Sequence, residues 1–380
     1  MLIVIADDFT GAAEMAGIAH SSGLKVVLQN KTFEFETDCD VLVIDADTRS
    51  KSEKEACQII TSLCQKLVSS ENLNGEWMVF KKTDSVFRGH FSAELEVMSD
   101  LLAFNRILAL PANPSMGRTI QNGQYFIGDK PLHLSSFADD PDFTKKDSNV
   151  STLLDWKGSL PHIHLAIEDE LPEIPAIFTV DILTIYDIEK RLESAKPGDL
   201  VCGSGDAFRA FISKLHDQQK PKYQPLFCDY LLILNGSTHD NSEEKQTIKS
   251  HDIPIIYWKE IKEAQTFVPQ YLAEKKAAIY TSNQQEEEYD YDLKTFAKSI
   301  VSMVNELKGA LHLVIIGGAT ARSIMDELHF SCFEVVEEVS SGVVTMSPKT
   351  NQKIFITTKP GSYPWMPEKL SNICKHTGHS

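Results

Sequence analysis

The chain has 380 residues, 42% hydrophobic and 24% charged, with a formal net charge of -17. That length exceeds what one hydrophobic core usually supports, so two domains are expected. So acidic a chain argues against a nucleic-acid backbone or an anionic membrane surface as partner, because both call for a basic face.

No apolar run approaches the roughly 20 residues that span a bilayer, and Met1-Leu2-Ile3 lacks the basic region of a signal peptide. The seven cysteines are an odd count without a Cys-x-x-Cys pair. A cytoplasmic protein without a zinc site is expected.

From the N-terminus, apolar runs alternate with helical periods. Strands are predicted near Leu2–Ile5, Lys25–Gln29, Val41–Asp45, Trp77–Lys82 and Arg106–Leu110, and helices over Thr10–Ser22, Ser52–Ser69 and Ser92–Phe104. This is the succession of a mostly parallel sheet. Cys57 and Cys64 fall on the helical face of Ile60 and Leu67 and are read as core thiols. Residues 111–147 are rich in Pro, Gly, Asn and Asp, with aromatic residues at intervals, which predicts an ordered, folded-back loop. His162 and His164 alternate with apolar neighbours, as on the solvated face of a strand.

Strands at Ala176–Val180 and Leu200–Cys202 and helices at Thr184–Ser194 and Asp206–His216 complete the first series. "HDQQKPKYQP", 216–225, reads as a linker, so the expected domains are 1–220 and 225–380. A second series opens with "DYLLILNG" and continues through strands at Ile253–Tyr257, Ala277–Tyr280 and Leu311–Ile316 to short strands near Val343–Thr345 and Lys353–Thr357. The charge run 284–292 reads as a solvated loop before a helix over Leu293–Leu307. The expected fold is α/β, two domains, each with a mostly parallel sheet flanked by helices.

Polar groups gather where the first-domain strands end. Asp7 and Asp8 occupy the turn from the first strand into its helix, and a helix cap needs only one of them. Arg49 follows the third strand; Lys82, Asp84, Ser85 and Arg88 end or follow the fourth; Arg118 lies in the long loop. In a parallel sheet the first three groups share one edge, where ligands bind. Two carboxylates and two guanidinium groups there suit a small hydroxylated carboxylic acid. Arg49 or Arg88 can grip a carboxylate with two parallel hydrogen bonds, while Asp8 or Asp84 can accept hydroxyl hydrogens. The competing reading is a set of surface ion pairs worth roughly 0–1 kcal/mol each.

In the second domain glycine replaces charge. "HLVIIGGATARSIMDEL" reads as a strand, a Gly317-Gly318 turn and an amphipathic helix, and Gly236-Ser237-Thr238 repeats the logic. Backbone N–H groups at such turns, together with a helix N-terminus, favour a phosphate. There is no Walker G-x-x-x-x-G-K-[ST], no protein-kinase HRD or DFG element and no G-x-G-x-x-G.

Taken in order, the blocks "IADDFTGAAEMAG", "KKTDSVFRG", "PANPSMGRTIQNGQYFIGDKPLHLSSFADDP", "VCGSGDAF", "LNGSTHDNSEEKQ" and "GGATARSIMDEL" resemble the four-carbon acid sugar kinases over nearly the whole chain. The resemblance implies an N-terminal domain for the sugar acid and a C-terminal domain for ATP. It also implies phosphorylation of the 4-hydroxyl of threonate, erythronate or a 3-oxo-tetronate. Asp8, Arg49, Lys82, Asp84 and Ser85 match substrate-site positions, and Arg88 stands beside them. Ser237, Gly318, Ala319, Thr320 and Gly361 match ATP-site positions, with Gly317 in the same turn. Asp84 is read as the residue that orients or deprotonates the attacking hydroxyl, with Asp8 as its rival, and Mg²⁺ is expected with the nucleotide. In this reading Asp8 holds substrate hydroxyls and Asp7 acts electrostatically or caps the helix.

The closing loop departs from the family. "TTKPGSYPWMP" keeps Lys359 and Gly361 in register but has Pro360 and Pro364 where the family has Ser and Gly. A proline supplies no N–H to a phosphate. The alternative function is therefore a non-catalytic sensor of sugar acid or nucleotide on the same fold. Partners are the small acid and ATP, and a homo-oligomer is compatible with either reading.

Overall fold

The computed structural model describes residues 1–31, 33–35, 38–70, 77–135, 137–138, 146–216, 226–237, 242–259, 275–281, 292–361 and 363–375. Residues 217–225 of the expected linker, 284–291 of the charge run and Thr238 lie outside them. The chain divides into two compact units, Met1–Lys220 and Pro221–Ser380.

In the first unit eight strands form one sheet: β1 Leu2–Ala6, β2 Val26–Asn30, β3 Val41–Asp45, β4 Met78–Lys82, β5 Arg106–Leu110, β9 His162–Leu165, β10 Ala176–Val180 and β11 Leu200–Gly203. Their order is β2-β3-β1-β4-β11-β5-β10-β9, and every neighbouring pair is parallel. A parallel sheet is buried on both faces, which explains why β1, β3 and β10 are buried along their whole length and mostly apolar. Helix α1 (Phe9–Ser21) links β1 to β2 in one direction, and α2 (Glu53–Ser69) links β3 to β4 in the other. Right-handed crossovers therefore place the two helices on opposite faces. Ser52 and Glu55 form a reciprocal capping box at the start of α2. Cys64 lies in the core, where burial pushes its thiol up to about 12, while Cys57 is half-buried.

The strand ends are level. Ala6 lies opposite Asp45, Asn30 opposite Asp45, and Gly203 opposite both Lys82 and Leu110. Whatever follows β1, β3, β4 and β11 thus emerges on one edge. The chain turns in opposite directions after β1 and β4, so the crevice between these neighbours is the topological switch point.

The expected long loop contains a small antiparallel sheet, β6 (Arg118–Gln121), β7 (Gln124–Ile127) and β8 (Lys130–Pro131). Its first turn is Asn122-Gly123, with φ of 50° and 70°, the positive values a two-residue hairpin requires. Asp181 holds that turn by accepting from the Asn122 and Gly123 N–H groups at 2.8 and 2.9 Å. The histidine face is half-buried and bonded within the protein. His162 Nε2 and His164 Nδ1 both bond Thr179 Oγ1, and His164 Nε2 meets Asp181 at 3.0 Å.

In the second unit the order is β13-β14-β12-β15-β18-β17-β16, from β12 Tyr230–Asn235, β13 Ile255–Tyr257, β14 Lys276–Tyr280, β15 Leu311–Ile316, β16 Cys332–Ser340, β17 Val343–Pro348 and β18 Ile354–Lys359. The first five strands are parallel, and β17 runs antiparallel to both its neighbours, β18 and β16. Here too the ends are level, with Asn235 opposite Ile316 and Ile316 opposite Lys359. Among the described residues no helix is long and apolar enough to cross a membrane.

Candidate functional site

At the edge of the first unit, three strand ends deliver one charged cluster. Asp7 is buried and accepts Arg49 Nε on Oδ2 at 2.8 Å and Arg49 Nη2 on Oδ1 at 2.9 Å. Burial pushes the Asp7 carboxyl up, but the Arg49 guanidinium, with Lys81 and Lys82, holds the group below the usual carboxylate value. Arg49 Nη1 reaches Asp8 Oδ2 at 2.8 Å, and Nη2 lies 3.6 Å from Asp84 Oδ1.

Asp8 is the cap of α1: its Oδ1 accepts the Gly11 N–H at 3.0 Å and its Oδ2 the Thr10 hydroxyl at 2.6 Å. Of the two roles expected for Asp7, the structure shows the electrostatic one and gives the cap to Asp8. Asp8 caps the helix and Asp7 turns to the arginine, because the side chain entering a helix points along the first turn while its predecessor still follows strand geometry.

Asp84 is the hub on β4's side. Arg88 grips it with Nε on Oδ2 at 3.1 Å and Nη2 on Oδ1 at 2.8 Å, and the N–H groups of Val86 and Arg88 also donate to Oδ2. Burial opposes ionisation, yet Arg88 and Arg49 together hold this carboxyl well below its ordinary value. Lys82 is buried, donating from Nζ to the Thr83 carbonyl at 2.9 Å, with Glu14 at 3.8 Å. Ser85 Oγ accepts from the guanidinium of Arg118, which lies on the small sheet and stacks 5.1 Å from the Phe137 ring.

The structure therefore brings Asp8, Arg49, Lys82, Asp84, Ser85 and Arg88 to one place and adds Asp7 and Arg118. The side chains of Asp8, Arg49 and Arg88 are 20%, 18% and 28% exposed, against 6% for Asp7 and Asp84. Those three are the more exposed side of the cluster, and Asp7 and Asp84 lie behind them. A further residue, Asp206 in α6 (Gly205–Leu215), accepts the Ser115 N–H and hydroxyl at 2.8 and 2.9 Å, fixing the loop that leads to Arg118.

The second unit joins its two glycine turns. Gly317, φ 108°, precedes helix α9 (Gly318–Leu328), whose first N–H groups receive no side-chain cap. A Cβ on Gly317 would lie 3.4 Å from Gly236 C and Ser237 N, and one on Gly236 would lie 1.9 Å from Thr320 Oγ1. The Ser237 N–H is held by Asn235 Oδ1 at 2.8 Å, and the Gly317 N–H by the Lys359 carbonyl at 2.9 Å. Gly236, Ser237, Gly317 and Thr320 thus form one close-packed corner. Gly318 is half-buried and Ala319 exposed beside it. Gly361 lines a cavity of about 250 Å³ together with Lys359, Glu244 and Trp365.

Residues 2–191 match the model of a sugar-binding N-terminal domain and residues 245–363 that of a nucleotide-binding C-terminal domain. The chain belongs to the four-carbon acid sugar kinase family. Among relatives, it is 22% identical to the 3-oxo-tetronate kinase of Haemophilus influenzae over 414 residues, covering 96% of this chain and 97% of the relative. It is 28% identical over 171 residues to the D-threonate kinase of Salmonella typhimurium, 44% of this chain and 39% of that one. A solved Haemophilus influenzae structure, 20% identical, superposes at a TM-score of 0.74 over 98% of this chain and 99% of that chain. A Salmonella typhimurium structure, 18% identical, does so at 0.75 over 98% and 97%. These likenesses carry the shared fold. As a member of the four-carbon acid sugar kinase family, the protein is a phosphotransferase. Its acid–guanidinium cluster lies within the sugar-binding match, and its Gly317 turn within the nucleotide-binding match.

Proposed function

We propose that the protein is an ATP-dependent kinase that phosphorylates the 4-hydroxyl of a four-carbon acid sugar: threonate, erythronate or a 3-oxo-tetronate. The observation that carries this reading is the cluster at the β1–β4 switch point, where two guanidinium groups and one partly exposed carboxylate face a ligand from a buried acidic backing. Residues 1–220 bind the acid, and residues 225–380 bind the nucleotide.

Arg49 and Arg88 attract the substrate carboxylate, and Asp8 accepts a hydroxyl hydrogen. Asp84 holds the two arginines in place for that carboxylate. Held below the usual carboxylate range and already accepting four hydrogen bonds, it is a poor proton acceptor. Asp8 is the better candidate for the base. Phosphoryl transfer places most of the work on positioning and charge.

The glycine corner supports phosphate binding: a turn at Gly317 with φ of 108°, packed on Gly236, beside an uncapped helix N-terminus. Mg²⁺ would neutralise phosphate charge there. It takes most ligands from phosphate and water and one or two from carboxylates, so it requires no dedicated protein cage, and none is found among the described residues.

ADP release measured with a panel of tetronates tests the reading, and turnover with at least one of them is expected. Binding of ATP and acid without ADP release would favour the sensor instead, a reading motivated by Pro360 and its missing N–H.

A further inference from the structure

Four side chains of the first unit converge on a single turn. Asp181, which follows β10, accepts the N–H groups of Asn122 and Gly123 at 2.8 and 2.9 Å, and the same carboxylate meets His164 Nε2 of β9 at 3.0 Å. Behind it, the fully buried Thr179 Oγ1 lies 2.9 Å from His164 Nδ1 and 2.8 Å from His162 Nε2. The His164 ring also packs on the turn, since a Cβ on Gly123 would lie 3.5 Å from its Cδ2.

The donors and acceptors give this chain a direction. A carboxylate already taking two backbone hydrogens only accepts, so the hydrogen between it and the ring belongs to His164 Nε2. In a neutral ring Nδ1 is then the acceptor, takes the Thr179 hydroxyl hydrogen, and leaves Thr179 Oγ1 to accept from His162 Nε2. Burial and His164 both push His162 below the ordinary histidine value, which favours its neutral form. With both rings neutral, this arrangement satisfies every contact.

The turn is one end of the β6–β7 hairpin, and the other end lies in the charged cluster. Tyr125 pairs with Ile120, two residues from Arg118, so Arg118 and Tyr125 share the hairpin's buried face. Arg118 donates to Ser85, and the Tyr125 ring meets the Phe87 ring edge-on at 5.9 Å. Phe87 has φ of 57°, a value that bulky residues rarely adopt and that persists where the surroundings hold it. Phe91 packs on it from another side, its ring centroid at 5.8 Å. Ser85 and Phe87 lie in the turn that folds Arg88 back onto Asp84. A short hairpin has little stability of its own, so what holds its two ends sets its position.

We infer that His164 is a positioning residue for the acid site: through Asp181 it seats the tip of the hairpin, and the hairpin seats Ser85, Phe87 and with them the Asp84–Arg88 pair. The inference rests on the proposed binding of an acid sugar by the first unit and names what keeps its arginines aligned. Arg118 and Asn122 are four steps of strand apart, roughly 13 Å. His164 therefore acts at a distance, through the hairpin.

Nitrogen-resolved NMR of the unaltered protein should find a hydrogen on His164 Nε2, and a bare Nε2 overturns the inference. His164→Phe removes both ring nitrogens, so amide exchange at Asn122 and Gly123 should quicken by about tenfold or more. Its tetronate Kd in calorimetry should rise by about fivefold or more, while kcat at saturating acid and the KM for ATP stay within about twofold. His164→Gln keeps an amide that can donate to Asp181 and should bring the Kd back to within about twofold of the unaltered protein. An unchanged Kd in His164→Phe, or equal losses in the Phe and Gln variants, overturns the inference. Should His164→Phe not fold, Thr179→Val frees the ring by a smaller change and should raise the Kd by about twofold or more; an unchanged Kd there overturns it too. A protein that shows these binding responses yet releases no ADP with any tetronate refutes the kinase reading and leaves the role of His164 standing. One that binds no tetronate refutes both.

Discussion

Arg49 binds Asp7 through two nitrogens at 2.8 and 2.9 Å and turns its third nitrogen to Asp8 at 2.8 Å. One guanidinium thus satisfies two consecutive carboxylates that enter the site on the same turn. The planar fork has no equivalent in lysine.

Arg49→Lys is accordingly expected to lower kcat/KM for the preferred tetronate by roughly tenfold or more. Arg49→Met, which strands Asp7 without its partner, should lose about 3–5 kcal/mol in urea unfolding, the usual penalty for breaking a buried ion pair. A wild-type urea midpoint in the Met variant would show that Asp7 does not depend on Arg49.

The two candidate bases separate by isosteric replacement. Asp8→Asn keeps a good helix cap but loses the partly exposed carboxylate, so kcat should fall by roughly 100- to 10,000-fold with acid binding little changed. Asp84→Asn removes the anchor of Arg88 and should instead weaken tetronate binding in calorimetry. A large kcat loss at Asp84 with intact binding, and little at Asp8, would exchange the roles.

Gly236→Ala places a methyl 1.9 Å from Thr320 Oγ1, so the corner must open. The KM for ATP should rise by roughly tenfold or more while tetronate affinity in the first unit stays unchanged. Steady-state kinetics beside acid titration decides it, and an unaltered KM would remove this turn from the nucleotide site.

Acid should act on Asp84 and Asp45 in opposite senses. Asp84 is held well below its ordinary value, so its contribution is complete above the unfolded carboxylate value of about 3.9 and is lost as pH falls toward its folded value. Arg88→Ala should reduce that loss. Asp45 is buried at the end of β3 and, with Asp47 adding to the effect of burial, is raised well above the ordinary value. Its contribution is complete below about 3.9 and is lost as pH rises through the folded value. Asp45→Asn should therefore raise Tm at pH 7, with the gain disappearing on acidification. Thermal melts across pH 3–7 show whether it does.

The level strand ends were legible because apolar run, turn and amphipathic period each mark their own boundary. They put Asp7-Asp8, Arg49 and the Lys82–Arg88 group on one edge. The choice of Asp8 over Asp7 as the cap was not legible, since the two differ only in direction and neighbouring aspartates carry the same local preference. Asn122-Gly123, between alternating apolar residues, is the signal that reveals the hairpin inside the long loop. Pro367 ahead of an apolar period marks the last helix in the same way. Glu244 and Trp365 could not be brought together from sequence, because 121 positions separate them and only the neighbouring strands β12, β15 and β18 close that distance.

Two adjacent lysines on β4 look to opposite sides of the sheet. Lys81 meets Glu94 of α3 (Phe91–Leu102) at 2.6 Å, both side chains only 1% exposed, while Lys82 has Glu14 of α1 at 3.8 Å. A strand slipped by one residue would send each ammonium to the other layer, and at least one buried charge would lose its counterion. The doublet thus works as a key with a tooth on each side: it admits a single alignment of β4 between its neighbours. That alignment delivers Asp84 to Arg88 and Arg49, so the geometry of the charged cluster is set two residues upstream, inside the protein.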